Sequence, residues 1–200
     1  MGSITLRGFC RTLIMLLLAP AFFSQCAHEL RPLENVLDSP KHHAQTGFRL
    51  MEKRYLDDAK REFELALQHT PQYSLALRGM GLLYVKRGDF GLASKSLGLA
   101  KDYAETKEDK ALACVGFMRL YIVQNEKGWL KKVEANFSEA LSVLKDLPEA
   151  HYQMGIAYKQ ANRFPESEKA FKRVVEINKG LVAQASKELE SVQRLKQDRR

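Results

Sequence analysis

The sequence predicts an all-α fold: about four helix-turn-helix units in series, closed by one more helix at the C-terminus. Three observations carry that expectation. Small and large residues recur 34 positions apart, pairing Gly47 with Gly81, Ala59 with Ala93, Phe63 with Leu97, and Ala66 with Ala100. An interval of that length accommodates one helix pair per unit. Apolar faces at helical spacing alternate with turn signals such as Gly88-Asp89 and Asn162-Arg163. Finally, 200 residues at 45% hydrophobic suit a single folded unit.

Before the repeats, Arg7 and Arg11 precede the nearly all-apolar run Thr12–Phe23, followed by Ser24, Gln25, Cys26 and Ala27. Charge, short apolar core and small residues in that order describe an export signal. The run is shorter than the roughly 20 residues a spanning helix needs. Residues 1–26 are therefore expected to be a signal peptide, with cleavage before Cys26. The position of Cys26 resembles the lipidated cysteine of bacterial lipoproteins, although Gln25 and Phe23 depart from the lipobox pattern. Acylation there would tether the protein without a spanning helix. Ala19-Pro20-Ala21 offers a competing cleavage site, which would leave a soluble periplasmic or secreted protein. Residues 27–40 are polar and interrupted by Pro32 and Pro40, and read as a tether whose last proline marks a helix start.

The repeat region is expected to span residues 41–180. In the second unit, Met80, Gly81 and Tyr84 lie on the first helix, Gly88-Asp89-Phe90 make the turn, and Ala93, Leu97 and Ala100 lie on the second. Gly81 lets the second helix approach the first, and Gly88 after Lys86-Arg87 terminates a helix. The first unit matches through Gly47, Leu50, Ala59, Phe63 and Ala66, without a glycine in its turn. The fourth opens at Pro148 and matches through Met154, Gly155, Tyr158 and Phe171, with Ser167 and Val174 where alanines are expected. The third is irregular: Tyr121 falls about three residues before the register demands. Either a longer connection near Gln124–Gly128 or an early start of the second helix accounts for it, with Trp129 packed over the joint. Residues 181–200 place Leu181, Val182, Ala185, Leu189, Val192 and Leu195 on one helical face. A terminal helix of that kind shields the last repeat.

These positions resemble the tetratricopeptide repeat superfamily over residues 41–180. The resemblance implies a right-handed superhelix whose first helices line a concave groove. Carried onto this chain, the groove positions are Phe48 and Met51; Arg78, Leu82, Val85 and Lys86; Arg119 and Ile122; and Tyr152, Ile156 and Lys159. Apolar residues mixed with positive charge suit an amphipathic helix or extended peptide carrying some acid. The superfamily's clamp for free C-terminal carboxylates needs asparagines at comparable positions, and they are missing here.

Chemistry of other kinds finds no support in the residues. The formal net charge is +8, but Lys and Arg are interleaved with Asp and Glu as on a solvated helical surface. With no basic stripe or nucleic-acid module, no nucleic-acid partner is expected. Cys114 stands in an apolar pattern and reads as a buried small hydrophobe. His42 and His43 are adjacent on a helix and diverge. No phosphate loop, metal-ligand spacing or nucleophile constellation is recognisable, so neither enzyme activity nor a cofactor nor a metal is expected. The combined expectation is a non-enzymatic scaffold or assembly factor for another protein of a bacterial cell envelope, tethered through Cys26 at the outer membrane and facing the periplasm. A permanent structural subunit of an outer-membrane or secretion machine, or a peptidoglycan-associated accessory factor, are the alternatives.

Overall fold

The computed structural model describes residues 38–198. The expected signal peptide, Cys26 and the tether up to residue 37 lie outside the described residues. Among those described, regular structure is entirely helical: α1 (Pro40–Glu52), α2 (Leu56–His69), α3 (Ser74–Arg87), α4 (Phe90–Asp102), α5 (Lys107–Gln124), α6 (Trp129–Val143), α7 (Pro148–Gln160), α8 (Phe164–Ile177) and α9 (Val182–Gln197). No described helix is long and apolar enough to cross a membrane.

Local chemistry sets the ends. Ser39 caps α1 by accepting the His42 N–H at 3.2 Å, and Pro40 follows at the first helical position, where its missing donor costs nothing. Thr106 caps α5 in the same way through the Asp109 N–H. Gly88 closes α3 with φ 83°, a left-handed conformation that glycine adopts freely. The glycine-less first turn puts Arg54 at φ 66° instead, and Asn162 serves in the fourth at φ 59°.

Consecutive helices pair as α1–α2, α3–α4, α5–α6 and α7–α8, and each pair docks on the next. The docking device is one large side chain set against glycine on two neighbouring helices. Phe63 of α2 is fully buried, and a Cβ on Gly47 of α1 would stand 2.6 Å from its ring; Gly79 of α3 meets the same ring from the next unit. Leu97 of α4 repeats the arrangement between Gly81 of α3 and Gly116 of α5. In the fourth unit Phe171 of α8 presses on Gly155 of α7, and Ser167, wholly buried, donates its hydroxyl to the Gly155 carbonyl at 2.8 Å. That hydrogen bond is how a serine is accommodated at an alanine position.

The third unit departs from this plan. Met118 stands where its neighbours have Gly81 and Gly155, judged by the tyrosine three residues on (Tyr121, Tyr84, Tyr158). A fully buried methionine fills the space, and Phe137 of α6 is left only partly buried. The α5–α6 connection is longer, residues 125–128 against 88–89 between α3 and α4, and α5 has 18 residues against 13 or 14 in the other first helices. The connections of units one and four have three residues, so both alternatives hold in part: the connection is one or two residues longer, and α6 begins four residues before Val133 where α4 begins three before Ala93. Trp129 packs partly buried against the core at this joint. Cys114 lies in that core with no exposure, and burial raises its thiol pKa, which keeps it an inert thiol.

Helix α9 packs on α8 through Ala185 and Val192, both fully buried beside Phe171 and Val174. It shields the end of the repeat array, as its apolar face predicts.

Candidate protein-binding groove

The first helices of the pairs touch one another in series: α1 with α3, α3 with α5, and α5 with α7. The second helices, α2, α4, α6 and α8, make no comparable mutual contacts among the described residues. An array packed more closely along one side curves toward that side. The inner face is therefore the face of the first helices, where the sequence placed its candidate residues.

The centre of that face is a cavity of about 160 Å³ lined by Leu82, Val85 and Lys86 of α3, Arg119 and Val123 of α5, and Gln153 of α7. Four of the six were expected. Leu82 and Val85 are almost wholly buried and form an apolar floor, while Lys86 and Arg119 are exposed at its sides. Arg78 sits nearby, its guanidinium 4.9 Å above the ring of Phe48. That ring in turn stands edge-on to Phe63, so the first-unit candidate Phe48 positions Arg78. Burial lowers the pKa of the Arg78 guanidinium, partly offset by Asp109. Burial does the same to Arg119, whose side chain reaches solvent from within a concavity. Both remain charged. No described carboxylate lies within ion-pairing distance of Arg78, Lys86 or Arg119.

Residues 148–181 match the sequence pattern of the tetratricopeptide repeat. The fold is similar to that of TTC0263, a tetratricopeptide protein of Thermus thermophilus, with a TM-score of 0.66 and 17% identity over 76% of this chain and 80% of that one. It is similar also to the Cut9–Hcn1 hetero-tetramer of the APC/C, with a TM-score of 0.59 and 13% identity over 80% of this chain but only 30% of that one. The described residues share the all-helical fold of tetratricopeptide proteins. No curated protein matches its sequence.

The other expected groove residues are engaged by the tetratricopeptide array itself. Met51 and Ile122 are buried in the core, and the Ile122 carbonyl accepts a hydrogen bond from Gln160 at 3.2 Å. Tyr152 stands edge-on to Phe171 at 5.6 Å, and Ile156 packs beside it against the α8–α9 core. Lys159 is ion-paired with Glu188 of α9. The terminal helix thus takes up the inner-face residues of the fourth unit, and the open groove belongs to units two and three.

Sequence reasoning missed Val123 and Gln153. Val123 is 54% exposed and stands five residues after Met118, as Lys86 stands five after Gly81. Reading the third unit from Met118 would have found it. Gln153 occupies the position of Gly79 and Gly116, which carry no side chain in the second and third units. A larger cavity, about 820 Å³, opens between α6 and α8 on the outer side, over Phe137, His151 and Met154. Most of its charged rim is paired, Glu168 with Lys172, Glu166 with Arg163, and Arg173 with Asp146 and Glu176, while Lys169 has no ion-pair partner among the described residues. His151 beneath them has its pKa lowered by burial and then by Arg173. The groove is smaller, but its cations have no carboxylate partner among the described residues.

Proposed function

We propose that this protein is a non-enzymatic scaffold that holds an acidic, amphipathic segment of another cell-envelope protein in the groove of units two and three. The observation that carries the reading is the pair of cations without carboxylate partners among the described residues, Lys86 and Arg119, beside the apolar floor of Leu82 and Val85, with Arg78 held nearby over the ring of Phe48. Solenoids of this kind use their concave surfaces for binding. A ligand carboxylate over the floor would find Lys86 and Arg119 without an ion-pair partner among the described residues, while apolar side chains bury against Leu82, Val85 and Val123. The envelope assignment rests on Arg7, Arg11, the apolar run and Cys26 in the sequence. Lipidation of Cys26 would place the groove at the outer membrane facing the periplasm.

The test is crosslinking in intact cells with a C-terminally tagged full chain, followed by mass spectrometry of captured proteins and of the mature N-terminus. One dominant envelope protein is expected, with acidic residues in the crosslinked segment. Reversing Lys86 and Arg119 together to Glu should abolish its capture with helicity unchanged, since both side chains are exposed. Capture that survives the reversal would overturn the groove and move binding to the outer cavity. A mature N-terminus that retains residues 1–25 would overturn the export reading.

A further inference from the structure

The first helix pair carries a constellation that the repeat plan does not require. Asp38, just before α1, His43 on α1 and His69 at the end of α2 each offer one ligand atom, and the three atoms lie within 4.8 Å of one another. The Asp38 Oδ1 lies 3.1 Å from His43 Nε2 and 3.4 Å from His69 Nε2. The two imidazoles are stacked, with centroids 5.8 Å apart and planes 13° from parallel. On the far side of His43, Nδ1 meets Glu62 Oε2 of α2 at 2.8 Å.

Two features separate this arrangement from an ordinary ion pair. One carboxylate flanking one imidazolium would account for His43 alone. Here a second ring is brought onto the same oxygen, so that two imidazole nitrogens and one carboxylate oxygen stand together, the donor set that a single shared cation would take. The spacing also fits. Ligand atoms about 2.0–2.1 Å from a tetrahedral ion stand roughly 3.3–3.4 Å apart, close to both measured separations. The Glu62 contact is the outer-shell carboxylate that commonly orients a ligating histidine and fixes which ring nitrogen faces the metal.

We propose that Asp38, His43 and His69 form a binding site for a divalent transition-metal ion of the Zn²⁺ class, with Glu62 orienting His43. Two imidazoles and one carboxylate are a borderline-soft donor set, suited to Zn²⁺ rather than to Ca²⁺ or Mg²⁺, which take mainly oxygen. His43 is only 12% exposed, whereas His69 is 39% and Asp38 63% exposed, so an ion enters from the solvent side, where water completes the tetrahedron. The ion would pin the segment preceding α1 to the C-terminal end of α2. The site thereby fixes the N-terminal edge of the array. It is separate from the groove and does not depend on it.

Adjacent in sequence, His42 and His43 stand edge to face with centroids 6.1 Å apart, and His42 offers no ligand atom to the cluster. The partner of His43 is 26 residues away, which only the pairing of α1 with α2 brings near.

The test is calorimetric titration of the untagged, chelator-stripped full chain with Zn²⁺, with Co²⁺ absorption as a second readout of tetrahedral coordination. One ion per chain is expected, and Zn²⁺ should raise the unfolding midpoint until chelator is added. His69→Ala and Asp38→Asn should each weaken binding by ~10-fold or more, and Glu62→Gln by roughly 10–100-fold. His42→Ala should bind as the unaltered chain does. Both ligand variants alter exposed side chains, so circular dichroism should show the fold unchanged; if one variant does lose helicity, the other decides. Absence of saturable binding would overturn the site. So would unweakened binding in both ligand variants, or an equal loss in His42→Ala.

Discussion

The second and fourth units and the third solve the same packing problem differently. In the former, a bulky side chain on the second helix seats against glycine on the first: Leu97 on Gly81, Phe171 on Gly155. In the third, Met118 fills the place of that glycine, and Phe137 is held off at the edge of the core, 5.2 Å from the ring of His151. The glycine-keyed units keep 16 residues between the glycine and its bulky partner, against 19 from Met118 to Phe137, because the interlock fixes where each helix crosses its partner. The unit without the key has a longer first helix and a longer turn. A repeat period is thus a record of an interlock, and it lapses where the interlock is replaced by a flexible side chain.

Truncating the two aromatic rings would break this comparison most sharply. Phe171→Ala removes a ring with no exposure and should cost about 3–5 kcal/mol. Phe137→Ala removes a partly buried ring facing the outer cavity, and roughly 1–2 kcal/mol is expected from its lesser burial. Chemical denaturation of both variants measures the difference. Equal losses would mean that Phe137 is as deeply keyed as Phe171, contrary to the geometry.

Placing methyl groups at two glycines sharpens the same point. In Gly155→Ala the new Cβ would meet the fully buried Phe171 ring at 2.6 Å, and a ring enclosed on all sides cannot give way cheaply. A loss of about 1–3 kcal/mol is expected. Gly98→Ala is the control: the position lies within α4 and nothing stands within 4 Å of the added carbon. There the helix should gain up to about 1 kcal/mol. Opposite signs in thermal unfolding would establish that one glycine is a docking surface and the other merely a tolerated residue. A gain at both would remove the interlock as the basis of the repeat.

The pattern of what the sequence disclosed follows from these contacts. Gly47, Gly81 and Gly155 were legible because their partners lie in the same unit at a constant 16-residue separation. Gly79 and Gly116 were not, because each receives a side chain from the preceding unit, and the second of those crossings includes the irregular unit's offset. Helix identities and most turns were visible from apolar spacing and from Gly88 and Asn162. The groove was half visible: Leu82, Val85, Lys86 and Arg119 meet, but repeat arithmetic could not show that Glu188 of α9 would claim Lys159, or that Val123 would stand open. Which inner-face residues stay free depends on the helix that covers the last unit, and that is a tertiary fact.

The same fourth unit has a weaker, charge-based attachment to α9, which can be separated from its apolar key by pH. Glu168 of α8 is placed between Lys172, at 2.7 Å, and Lys196 of α9, at 2.8 Å. Hydrogen bonds from Lys172 and then Lys196 lower its pKa to about 2, against about 4.3 in an unfolded chain. A depressed carboxylate stabilises the fold at pH values above the unfolded pKa, and that contribution is lost as pH falls from about 4.3 through about 2. The displacement alone would correspond to roughly 3 kcal/mol, but both lysines are substantially exposed, at 58% and 37%, and solvent screening reduces the expected contribution to about 1 kcal/mol or less. Glu168→Gln should therefore lower stability slightly near pH 7, with the difference from the unaltered chain closing below about pH 4 and also in high salt. The loss in Phe171→Ala should persist under both conditions. If the Glu168→Gln difference is unchanged by acid and by salt, the attachment of α9 is a matter of packing, and Ala185 and Val192 hold the cap without help from charge.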